Sequence, residues 1–164
     1  MSKIADIQTI LGVKPDGVWG TVSQAALDGL VRAADNHVYA SSFADPADVE
    51  AYRKAKAAGK TEQEALRLGD NGIGCWGDDC TAPVPICALP PDDWNRFGSG
   101  ARGKKVKVTA LVCGEVRSFT CELRDTMPHK AEITNGCGID LNPSAVSLLG
   151  MKPPIKIPVV WSWA

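Results

Sequence analysis

No stretch of this chain reaches the eighteen or so consecutive apolar residues that a membrane-spanning helix needs. Nor is there an excess of either charge: the net charge is −1, and neither half is strongly biased. Whole-chain electrostatics therefore gives no reason to expect nucleic acid or an anionic membrane as partner. The N-terminus, "MSKIADIQTILGVKPDG", has one early lysine and then Asp6 inside the would-be apolar segment, a poor secretory signal. No repeat of 20–50 residues is visible. Cysteine is missing from the first 74 residues, and no Cys-x-x-Cys occurs anywhere.

What is present divides into two compositions. An apolar fraction of 45% with 23% charged residues is that of a globular chain, and 164 residues suffice for one ordinary domain or two small ones. The first half reads as helical. "KIADIQTILG" places Ile4, Ile7, Ile10 and Leu11 on one face and stops at Gly12. "TVSQAALDGLVRAAD" opens with Thr21 and Gln24 at capping-box spacing and carries Val22, Ala25, Ala26, Leu27, Leu30 and Val31. "DPADVEAYRKAKAAG" has Asp45 as N-cap, Pro46 in the first turn and Gly59 as stop. "TEQEALRLG" repeats this logic with Thr61, Glu64 and Gly69. Beyond Gly69–Gly72, glycine, proline and cysteine become frequent and the pattern shifts toward alternation. "KKVKVTALV", "EVRSFTCEL" and "IKIPVVWSW" read as strands. One helix interrupts them, "NPSAVSLLG", with Asn142 as N-cap. The expected fold class is α+β: a helical module over residues 1–70 and a compact β domain over 71–164.

The six cysteines, Cys75, Cys80, Cys87, Cys113, Cys121 and Cys137, all fall in the second half. An even number confined to one region points first to disulfides in an oxidising compartment. Buried free thiols and a zinc site with His129 are the alternatives, the last weakened by the absence of Cys-x-x-Cys.

"IQTILGVKPDGVWGTVSQAAL" resembles the small helical peptidoglycan-binding module carried by many cell-wall enzymes. The resemblance covers roughly residues 3–32 and rests on Ile7-Gln8, Leu11-Gly12, Asp16-Gly17-Val18-Trp19-Gly20 and the Ala25-Ala26-Leu27 helix. It marks Asp16, Gly17 and Trp19 as ligand-binding candidates. The turn also has a local reason, since Asp-Gly permits a positive φ at Gly17. Trp19 either fills the small core, the favoured reading, or faces a ligand groove.

The order of features from residue 72 onward resembles a six-stranded double-psi β-barrel. It is similar to the rare-lipoprotein-A type septal wall proteins, the expansins and the related barrel glycosidases. The residues that carry this are "ICALPPDDW", "GKKVKVTAL", "GEVRSFTCELRDTMP", "GIDLNPSAVSLLGM" and "IKIPVVWSW". The resemblance implies that Asp125 and Asp140 line one groove as catalytic carboxylates, with Asp125 as the acid/base and Asp140 as its partner or groove former. Asp125 matches the acid of septal lytic transglycosylases, and Asp140 the general acid of the barrel glycosidases. Glycosidic cleavage needs a proton delivered to the leaving oxygen, hence a carboxyl of raised pKa. The bland alternatives are a helix cap for Asp140 and a turn-forming role for Asp125. Trp76 and Trp94 would stack on sugar rings or fill core, and His129 would stand near Asp125 or be solvated. The septal enzymes carry a histidine before the Leu-Pro turn; "APVPICALPP" holds none. Asp78 or Asp79 would be the first-strand acid of the glycosidases.

The expected partner is peptidoglycan or a related glycan, with no cofactor or metal, no nucleic acid, no membrane span and a monomeric state. The expected place is the periplasm, cell wall or extracellular space. Lytic transglycosylase action is the enzymatic reading. A non-catalytic, expansin-like glycan binder is the competing one, and a small barrel inhibitor or effector is a third.

Overall fold

The structure, a computed structural model, describes residues 3–33 and 36–164, with no side-chain description for residues 28–33. Leu30 and Val31 of the expected apolar face thus lie outside the described side chains.

The N-terminal residues form helices α1 (Lys3–Ile10) and α2 (Thr21–Ala33). What ties them is a buried polar side chain. Gln8 is 2% exposed; its amide donates to Asp16 Oδ1 (2.8 Å), the Val18 carbonyl (2.9 Å) and Ser23 Oγ (3.0 Å). Its oxygen accepts from the Gly17 N–H at 2.9 Å, so this buried amide is satisfied. Gly17 has φ +76°, the left-handed conformation expected of it.

The remainder is a closed barrel of six strands in the order β1-β5-β2-β4-β3-β6. The strands are β1 (His37–Ser42), β2 (Ile86–Leu89), β3 (Lys105–Val112), β4 (Glu115–Thr126), β5 (Cys137–Leu141) and β6 (Lys156–Trp163). Two pairs are parallel, β1 with β5 and β2 with β4, and the rest antiparallel. The consecutive strands β1 and β2 flank β5, while β4 and β5 flank β2. The chain is thus α+β with a closed, mixed six-stranded barrel, as expected.

The sequence reading began the barrel at residue 71, yet its first strand is His37–Ser42. "HVYASS" has little alternation and ends in small residues, so it carries no local strand signal. Its pairing comes from β5 and β6, roughly a hundred positions away. Helices α3 (Pro46–Ala57) and α4 (Glu62–Leu66) therefore sit within the β1–β2 connection. The Thr61–Glu64 capping box is formed. Asp45 occupies the N-cap position of α3 without a side-chain cap bond. Helix α5 (Pro91–Trp94) follows β2, and α6 (Pro143–Leu148) follows β5. Among the described residues no helix is long and apolar enough to cross a membrane.

Alternation along the strands fills the barrel. Val106 and Val108, Cys121 and Leu123, Ile139 and Leu141, and Val159 and Trp161 are buried in one cluster with Cys87 and Leu89. Asn142 fastens the crossing point. Fully buried, it accepts from the Ala145 and Ile86 N–H groups and donates to the Cys80 and Val84 carbonyls. It thus caps α6 and pins the loop before β2 at once.

The disulfide expectation is overturned: all six cysteines are free. The physical reason is their dispersal over the fold. Cys75 and Cys113 are exposed, the latter at the β3–β4 turn with φ +51°. Cys80 packs with Ala44 and Ile86, and Cys137 with Ala88 and Met127. Only Cys87 and Cys121 share the barrel core. There burial, then the neighbouring Cys121 thiol, pushes the Cys87 thiol well up.

Candidate carboxylate pair

The register of three neighbouring strands places the two predicted acids. Ala88 on β2 pairs with Asp125 on β4 to one side and with Asp140 on β5 to the other. Two strand spacings separate the acids, about 10 Å between their Cα atoms. Ile139 and Leu141 point into the barrel, so Asp140 between them points outward. On β4, the register shifts where Cys87 pairs with Leu123 and Ala88 with Asp125. The extra residue is Arg124, and this bulge brings Asp125 to the outer wall.

Asp140 pairs in register with Ser41 of β1, whose hydroxyl donates to Asp140 Oδ1 in a short hydrogen bond. Burial raises the Asp140 carboxyl to about 6; the Ser41 bond opposes the rise, and the charges of Asp125 and Asp45 add to it. The cap reading of Asp140 is removed, since Asn142 caps α6 and Asp140 lies within the strand.

Asp125 bonds across to the loop before β2. Its Oδ1 accepts from the Cys75 N–H at 2.7 Å and the Thr126 N–H at 2.8 Å. Burial raises its pKa too, with these amide bonds and the Cys75 thiol pulling it back and Asp70 pushing it up. The thiol is in turn pushed up to about 11, first by burial and then by the Asp125 charge. The loop's approach depends on Gly74, where a Cβ would stand 2.3 Å from the Arg124 carbonyl oxygen. Arg124 pairs with Glu122 and approaches Asp78 at 3.7 Å. Asp78, its side chain 4% exposed, is held by Arg102 at 2.6 Å. Asp78 is thus a latch for this loop; Asp79 bonds locally to Thr81.

Three participants went unrecognised in the sequence. Ser41 has no local signature. Asp45 was read only as a cap; burial raises its carboxyl while the Ser42 hydroxyl, donating at 2.7 Å, lowers it. Asp70 accepts from Ala44 N–H (2.9 Å) and Gly72 N–H (2.7 Å), fixing Ala44 at φ +52°. Asp70 lies at the Gly69–Gly72 boundary of the sequence, and its partner Ala44 is 26 positions away.

Trp76 and Trp94 meet edge to face, centroids 5.2 Å apart, both half-buried and packed against the barrel core. Trp76 adjoins Cys75 in the loop that bonds Asp125, and the Trp94 indole donates to the Leu89 carbonyl. His129 is exposed and bonds Asp92, not Asp125. In the helical module, Trp19 is half-buried, its indole N–H donating to Gln24. Asp16 and Gly17 hold the turn through Gln8. Among the described residues no group of three or more His, Cys, Asp or Glu side chains could hold a metal ion. No protein-family model matches the chain, and no curated protein matches it.

Proposed function

We propose that this protein binds and remodels cell-wall glycan, and that the groove cleaves a glycosidic bond with Asp140 as proton donor. The observation that carries the reading is the Asp140 carboxyl, raised to about 6 beside a second carboxyl. Near neutrality such a group holds its proton for a useful fraction of the time, as general acid catalysis demands. Asp125, with one oxygen bound by two backbone amides, serves as the charged neighbour and groove former. The two acids thereby exchange the weight the sequence reading gave them.

The chemistry balances in the transglycosylase form. Asp140 gives its proton to the leaving oxygen as the C1–O bond breaks. The sugar's own 6-hydroxyl closes on C1, and its proton returns to the Asp140 carboxylate. No second catalytic base is required. The half-buried Trp76–Trp94 pair is the aromatic surface on which a sugar ring would stack, and the helical module supplies wall targeting. The reading places the protein in the periplasm or at the wall.

One observation favours the non-catalytic alternative. With Asp125 committed to backbone amides, the groove holds a single available acid, which would also suit binding without cleavage. Incubation with purified peptidoglycan sacculi, followed by mass analysis of soluble products, decides. Anhydro-muropeptides support the proposal, reducing-end sugars indicate a hydrolase, and binding without release selects the expansin-like reading.

A further inference from the structure

Residues 95–114 hold five basic side chains, Arg96, Arg102, Lys104, Lys105 and Lys107, and no acidic one. Arg102, Lys104 and Lys105 line a groove of about 490 Å³ together with Phe97, Trp163 and the C-terminal Ala164, while Arg96 and Lys107 lie outside its lining. Arg102 and Lys105 are neutralised by Asp78 and Glu122. Arg96, Lys104 and Lys107 have no carboxylate partner among the described residues.

Two of these unpaired cations are held close together. Lys104 Nζ lies 4.3 Å and Arg96 Cζ 4.8 Å from the centroid of the same Phe97 ring, so they are at most 9.1 Å apart. Phe97 is itself fixed edge to face against Trp163 at 4.9 Å. Aromatic attraction thus holds two cations without carboxylate partners beside one ring. Lys107 extends the row along β3, outward-facing between Thr120 and Ser162. It stands two residues, about 7 Å, beyond Lys105 on the same face.

We propose that this groove binds a linear, base-free polyanion: an acidic wall glycopolymer carrying phosphodiester or uronate charges. A spaced row of cations matches a repeating anion rather than a single ion. Nucleic acid fits less well, because binding of single strands draws on open aromatic faces for base stacking. The Phe97 ring is already engaged by two cations and by the Trp163 edge. The choice of a wall polymer rests on the glycan reading above; the polyanion site rests on the groove itself.

The test uses the full chain and fluorescein-labelled poly(glycerol phosphate) and polygalacturonate, followed by anisotropy across a salt series. Binding to at least one polymer is expected, with a log–log salt slope of about −2 for three released counterions. The preferred polymer distinguishes phosphodiester from uronate recognition. The triple variant Arg96→Ser, Lys104→Ser, Lys107→Ser should bind at least about tenfold more weakly, with an unchanged melting temperature. Asp140→Asn should bind like wild type. Salt-insensitive or absent binding to both polymers, a triple variant that binds as wild type does, or tighter binding of oligo(dT) would overturn the proposal. Sacculi stripped of anionic polymers test the carboxylate groove separately, so either idea can fail without the other.

Discussion

Replacing Asp140 by asparagine should stabilise the protein, and only above a defined pH. The folded-state carboxyl is raised from an ordinary 3.8 to about 6, chiefly by burial. The folded protein therefore holds this proton more tightly than the unfolded chain does. The stability so contributed is complete below 3.8 and is lost as pH climbs through about 6. Above that, wild type carries an ionised, largely desolvated carboxylate, whereas asparagine does not titrate. At about 1.36 kcal/mol per pH unit, the displacement caps the effect at about 3 kcal/mol. Partial exposure of the side chain brings the expected gain to about 1–2 kcal/mol at pH 8. Asparagine keeps an acceptor oxygen for the Ser41 hydroxyl, so that hydrogen bond survives. For a chain of this length the gain corresponds to about 2–8 °C in Tm. Thermal melts of both proteins between pH 3.5 and pH 8.5 supply the test. The two Tm curves should converge below about pH 4 and separate through about pH 6. A constant offset across the range, or an Asp140 carboxyl that titrates near 4 by NMR, would refute the reasoning.

Other substitutions probe the scaffold around the two carboxylates. Gly74→Ala would place a Cβ 2.3 Å from the Arg124 carbonyl oxygen. It should displace the Cys75 N–H from Asp125, cost about 1–3 kcal/mol in urea unfolding, and lower product release beyond its effect on folding. Asn142→Ala strips a buried side chain of both its donor and acceptor bonds. It should cost at least about 3 kcal/mol by the same assay, well above an ordinary cap deletion. In a thiol titration of the native, non-reduced protein, Cys113 should react first. Cys75, pushed up to about 11, should be slower despite its exposure. Cys80, Cys87, Cys121 and Cys137 should react only after denaturation, giving six free thiols in all.

Much of the helical half and the later strands could be read from residues alone because their signals are local. The Thr61–Glu64 box, Pro46 after Asp45 and the Asn142-Pro143 start are complete within a few positions. The carboxylate pair was legible through the order of motifs along the chain. The missing parts depend on distant pairing. Strand β1 is recognisable only by its neighbours, and with it came Ser41, which reaches Asp140 across 99 positions. Asp70 likewise acquires its meaning from Ala44. The cysteines misled for the opposite reason: clustering along the chain suggested a covalent framework, yet the fold leaves Cys75, Cys80 and Cys113 in loops and a turn, and only Cys87 and Cys121 share a cluster.

The most direct measurement is product release from purified sacculi against pH, for wild type and Asp140→Asn together with a wall-binding control. Wild type should release anhydro-muropeptides with a rate that falls as pH rises through about 6, as the Asp140 proton is lost. Asp140→Asn should bind the sacculi equally well and release nothing. Undiminished release by Asp140→Asn, or a wild-type profile with no loss of rate through about pH 6, would contradict Asp140 as the acid.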